Sequence, residues 1–222
     1  MDSHILQEIF KLLPKATAET VNMTLFSTLF ACTLGFPLGV YLYYTSPDGL
    51  RSQRVIYGVL SRIVNLLRSM PFIILIILLI PLSRLLIHTS IGPKAVIIPL
   101  SIAAAPFVAR VAESALQEVD PGCIIAARAM GSTNMQIVCK VLIPEALPSL
   151  ISGLALTMIN LIGYSAMAGA IGGGGLGDLA IRFGYYRFRA DVMAAAVVII
   201  LLLVEAVQIA GTLFSRRLLQ NR

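Results

Sequence analysis

Residues 120–144 read DPGCIIAARAMGSTNMQIVCKVLIP, and this stretch decides how the rest of the chain is understood. It is too polar to cross a membrane, yet it is punctuated like two short helices. Asp120 is an N-cap type and Pro121 suits the first helical position, so a helix is predicted over 122–130, with Gly131 as a left-handed stop. Thr133 and Gln136 have the spacing of a capping box, predicting a second helix over 134–142 that Pro144 ends. The first helix offers small side chains, Ala126, Ala127 and Ala129. The second offers Met135, Ile137, Val138, Val141 and Leu142. An apolar face of this kind on the water side needs a partner, unless the loop folds back on its own bundle.

Outward from this loop, taken as 118–148, the sequence turns apolar. Uncharged stretches run from Ala146 to Gly177 (32 residues) and from Thr20 to Pro47 (28 residues), each long enough for one crossing but not two. Shorter ones, Ser69–Ser83, Ala95–Ala109 and Val192–Val204, extend into apolar sequence past flanking charges that can snorkel. Five membrane spans are expected, near 20–45, 57–86, 92–117, 148–171 and 190–214, making the domain 20–215 and leaving 216–222 as a cytoplasmic tail. Only 13% of the residues are charged and 58% are hydrophobic, with a mean hydropathy of +0.88. That charge fraction is about half that of soluble domains, so the chain reads as an all-α membrane protein with no room for a separate soluble enzyme domain.

The net charge of +6 is spread singly among apolar runs, which fits membrane flanks and lipid and not nucleic acid. With the N-terminus outside, ten Lys and Arg fall inside against seven outside, which favours a cytoplasmic C-terminus and a cytoplasmic loop 118–148. The segment 1–19 lacks the apolar core of a cleaved signal peptide. Ile5, Ile9, Leu12 and Leu13 share one helical face there, predicting a short helix on the membrane surface. Cys32, Cys123 and Cys139 are far apart and odd in number, and read as reduced packing residues.

Several chemistries are excluded. Gly172, Gly174 and Gly177 spell GxGxxG, but no strand precedes them; the run 169–177 reads as a flexible bend or gate at the outer end of the fourth span. No GxxxxGK[ST] and no HExxH occur. Gly163-Tyr164-Ser165-Ala166 begins like a serine-hydrolase elbow, but Met167 replaces its last glycine and no histidine lies nearby to act as base. The chain itself is expected to hold no catalytic residue, no metal and no cofactor; any ATP and Mg would be bound by a partner.

Polar residues within the spans are costly in hydrocarbon and so mark candidate sites. Asn65, Arg68, Ser69 and Phe72 share a face of the second span, and Asn160, Tyr164 and Met167 share one of the fourth. Either these faces line a translocation path, or they hydrogen-bond between helices with Arg68 snorkelling to the interface. Gly35 and Gly39 form a close-packing pair. Glu205, inside the fifth apolar stretch, is either solvated near the inner surface or the proton relay of an ion-coupled secondary transporter, the alternative from a different class.

Ala126-Ala127-Arg128-Ala129-Met130-Gly131, nine residues, then Val141-Leu142-Ile143-Pro144 resembles the EAA loop of ABC importer permeases. Ile125 stands where that pattern has Glu, Val141 where it has Ile, and Ile143 where it has Leu. The segments 65–74, 89–92, 104–107 and 163–167 are similar to the methionine importer permeases in particular, so the resemblance covers roughly residues 15–215. It implies a type I ABC importer permease fold and a homodimer. Two ATP-binding subunits would be docked through Ala126, Ala127, Arg128, Ala129, Met130, Gly131, Ser132 and Pro144. A methionine-binding protein would deliver substrate outside a bacterial cytoplasmic membrane. Another amino acid or small nutrient is the alternative cargo within the family.

Overall fold

The computed structural model describes the backbone of residues 3–220 and the side chains of 12–220. Among the described residues there are helices and no strand: α1 (Ser3–Thr45), α2 (Arg54–Ser69), α3 (Phe72–Ile87), α4 (Pro93–Gln117), α5 (Pro121–Ala129), α6 (Asn134–Ile137), α7 (Ile143–Gly169), α8 (Gly175–Leu179) and α9 (Ala190–Gln220). Four membrane-length apolar helices stand alone, at 12–45, 93–117, 134–169 and 190–220, and the pair α2 and α3 makes a fifth if counted as one span. The chain forms two compact units. One comprises the chain up to Ala31, Met70–Ala104 and Met158–Gln208; the other comprises Cys32–Ser69, Ala105–Thr157 and the chain from Ile209 on.

Four expected boundaries differ. The surface segment and the first span are one helix, α1, with no break near residue 19. Leu12 and Leu13, expected on the membrane surface, pack instead against the core of Ala16, Leu176, Leu179, Val192 and Ala196; the side chains of Ile5 and Ile9 lie outside the described residues. An apolar stripe specifies only that something apolar covers it, and here the protein does.

The second span is not one helix. It bends by 102° at Met70-Pro71. A residue before proline is pushed out of the helical region, and Pro71 has no N–H to continue the ladder, so its carbonyl instead starts α3 by accepting from Ile74 and Leu75.

Pro144 does not end a helix. Residues 134–169 are continuous through a π turn, Val138–Leu142, in which the Ile143 N–H reaches the carbonyl of Val138. In a regular helix the Pro144 ring would meet the carbonyl of Lys140, and the wider turn shifts the register around it. α9 likewise runs on to Gln220, through most of the expected tail.

Within the second unit α1 and α4 pack backbone to backbone. A Cβ at Gly35 or Gly39 would lie 2.4 Å from the carbonyl oxygen of Ala105 or Ala109, so only glycine permits this approach. Arg110 of α4 ties in α2: it donates to the Ser61 carbonyl at 2.9 Å and to the Ser61 hydroxyl, and pairs with buried Glu113 at 2.6 Å.

Candidate functional site: the capped loop and the aromatic stack

The loop of the second unit is built by local rules. Asp120 Oδ1 accepts from the Gly122 N–H at 2.7 Å, with Pro121 in the first turn of α5. At the other end Gly131 takes φ +81°. The Gly131 N–H donates to Arg128 and the Ser132 N–H to Ala127, the paired bonds of a Schellman ending. The Gln136 N–H donates to Thr133 Oγ1 and the Thr133 N–H to Gln136 Oε1, the reciprocal capping box expected. Each such cap contributes about 1 kcal/mol, which offsets only part of the nucleation cost of a helix as short as α5.

Tertiary contacts then fix the loop in place. Ala127, Ile137, Val138 and Leu142 are buried with Tyr43, Leu50, Leu116 and Val119. Arg128 donates to the Leu50 carbonyl at 3.2 Å, and Asn134 to the Tyr44 hydroxyl at 3.4 Å. The loop therefore does fold back on its own unit through much of the apolar face expected for a partner, including Ala127. A second face stays open. Ile125 is 67% exposed, Met130 79% and Met135 72%, with Ala126 and Ala129 also exposed; Ser132 and Pro144 are half-buried. Large apolar side chains are thus left uncovered on a capped base, and two of them are methionines, whose flexible thioether stems adapt to irregular surfaces.

The expected translocation faces are divided. The break at Met70-Pro71 takes Phe72 off the helix that carries Asn65 and Ser69, so the four residues expected on one face do not share one. Asn65 and Ser69 are exposed on α2, with the Ser69 hydroxyl donating to the Asn65 carbonyl at 2.9 Å. Arg68 lies over the Phe107 ring, 5.6 Å from its centroid, so its partner is aromatic. In the other unit Phe72 and Tyr164 stack with centroids 4.4 Å apart and planes 6° from parallel. Asn160 is half-buried on the same helix and Met167 is half-exposed.

The glycine run of that unit is a packed turn and not a loose bend. The Gly175 N–H donates to Glu19 and the Leu176 N–H to the Thr20 hydroxyl, both at 2.9 Å. Sequence reasoning missed this tie, and the Arg110–Glu113–Ser61 cluster as well; the charges at the edges of the apolar stretches, Glu19 and Arg110, were the available signal. Among the described residues no group of three metal-ligating side chains comes together.

The model of a family of transporters, the binding-protein-dependent transport system inner membrane component, matches residues 35–220. The chain belongs to this family. A probable D-methionine transport system permease protein MetI of Vibrio cholerae is 45% identical over 206 residues, which is 93% of this chain and 92% of that protein. The D-methionine transport system permease protein MetI of Escherichia coli K12 is 50% identical over 158 residues, 71% of this chain and 73% of the relative. A solved chain from inward-facing conformations of the MetNI methionine ABC transporter matches with a TM-score of 0.93 and 45% identity, covering 98% of this chain and 99% of that one. An amino acid ABC transporter solved with histidines matches with a TM-score of 0.76 at 23% identity, a likeness of fold alone. The all-α architecture is thus that of the ABC importer permeases.

Proposed function

We propose that this chain is the membrane-spanning permease subunit of an ATP-driven methionine importer, working as a homodimer with two ATP-binding subunits and fed by an external methionine-binding protein. The near-complete match to the methionine transporter chain carries this reading. Relatives named for D-methionine support cargo of either hand. ATP and Mg belong to the partner subunits, since the chain has no phosphate-binding GxxxxGK[ST].

The mechanical step follows from the capped loop. Ile125, Ala126, Ala129, Met130 and Met135 would seat in a cleft of the ATP-binding subunit, and a rigid α5 passes on its closing movement where a loose loop would absorb it. This puts residues 118–148 in the cytoplasm, with the N-terminus outside and the C-terminus inside. The Phe72–Tyr164 stack, with Asn160 and Met167 nearby in sequence, offers an aromatic and thioether lining for a path that takes a thioether side chain. Asn65 and Ser69 remain path candidates on α2.

The assembly is tested by co-expressing the tagged chain with its ATP-binding partner and determining the mass of the purified complex. Two copies of each subunit are expected. A chain that purifies alone while the partner is abundant contradicts the reading.

A further inference from the structure

A cleft of the first unit, about 510 Å³, lies between α1 and the start of α4 and is walled by Glu19, Asn22, Met23, Phe26, Lys94 and Ile97. Glu19 is the last charge before the uncharged stretch that opens at Thr20, and Lys94 the last before the one that opens at Ala95. Their meeting in one cleft puts both stretches at one depth, so the cleft sits at headgroup level with its apolar wall running into the bilayer core. Glu19 is held in place by the Gly175 N–H. Among the described residues neither Glu19 nor Lys94 has a salt-bridge partner. Below them Phe26 is 48% exposed and is followed on the same face of α1 by exposed Leu29 and Phe30, an apolar lane the length of several methylenes.

We propose that this cleft binds a zwitterionic phospholipid of the ethanolamine type. Its ammonium donates to Glu19, its phosphodiester meets Lys94, and an acyl chain lies along Phe26, Leu29 and Phe30. An anionic headgroup without an ammonium would face the fixed Glu19 carboxylate, and a choline headgroup has no N–H to donate to it. The size suits a headgroup, since small-molecule pockets begin near about 300 Å³.

The test uses the purified complex equilibrated with equal amounts of phosphatidylethanolamine, phosphatidylcholine and phosphatidylglycerol, with retained lipid counted by native mass spectrometry. Phosphatidylethanolamine should be enriched over both others. Glu19→Gln keeps an acceptor for Gly175 and should lower that enrichment about fivefold, whereas Lys94→Gln should lower retention of both phosphatidylethanolamine and phosphatidylglycerol. Melting temperature with and without added lipid is the second readout; if Glu19→Gln does not fold, Lys94→Gln, at an exposed side chain that does not bond the glycine turn, carries the test. Equal retention of the three lipids, an unchanged preference in folded Glu19→Gln, or displacement of the lipid by free methionine would overturn the proposal.

Discussion

The guanidinium of Arg128 donates to the backbone carbonyl of Leu50 at 3.2 Å, linking α5 to the turn that follows α1, 78 positions earlier in the chain. The bond holds a short helix by its back while Ile125 and Met130 stay free on its front. Arg128→Met keeps the apolar stem and removes the donor. It should lower stability by about 1 kcal/mol and reduce transport more than ATP hydrolysis, read as uptake per ATP consumed.

Gly131 sits at φ +81°, where a proline, fixed near −65°, cannot go. Gly131→Pro should insert and assemble yet uncouple hydrolysis from uptake, while Gly131→Asn, which tolerates the left-handed region, should retain most coupling. Unchanged uptake in Gly131→Pro would remove the rigid-helix account.

Tyr164 lies flat on Phe72. Tyr164→Ala removes a ring from the proposed path and should raise the methionine concentration for half-maximal uptake several-fold, besides forfeiting a stack worth about 1 kcal/mol of stability. Tyr164→Phe keeps the stack and should restore most of the affinity, separating ring from hydroxyl.

Arg110 and Glu113 form a pair in which the carboxylate side chain is 4% exposed. Arg110→Met leaves that charge buried without its partner and should cost about 3 kcal/mol, seen as a fall in melting temperature. Adding Glu113→Leu should recover most of the loss, because the remaining cluster no longer buries a charge.

What was legible in the sequence was local. Asp120, Gly131, Thr133 and Gln136 act through bonds within a few residues, so spacing alone foretells the short helix α5 and the start of the next one, though not that the latter runs on to 169. Long apolar stretches likewise mark the spans. What covers an apolar face is not local: Ile137, Val138 and Leu142 have the same pattern whether they meet Tyr43 and Leu116 or another protein. Proline's effect depends on what surrounds it: the span expected over 57–86 bends by 102° at Pro71, whereas Pro144 is carried by a π turn that no spacing rule signals. Glu19 reaches Gly175 across 156 positions, a tie that pattern reading along the chain cannot supply.

The central claim, that the chain passes methionine when a partner hydrolyses ATP, is tested most directly by labelled methionine uptake into proteoliposomes holding the complex. The binding protein is supplied outside, and ATP is present or absent inside. Uptake that requires ATP is the predicted result. Uptake that proceeds without ATP on an ion gradient and is lost in Glu205→Gln would contradict it.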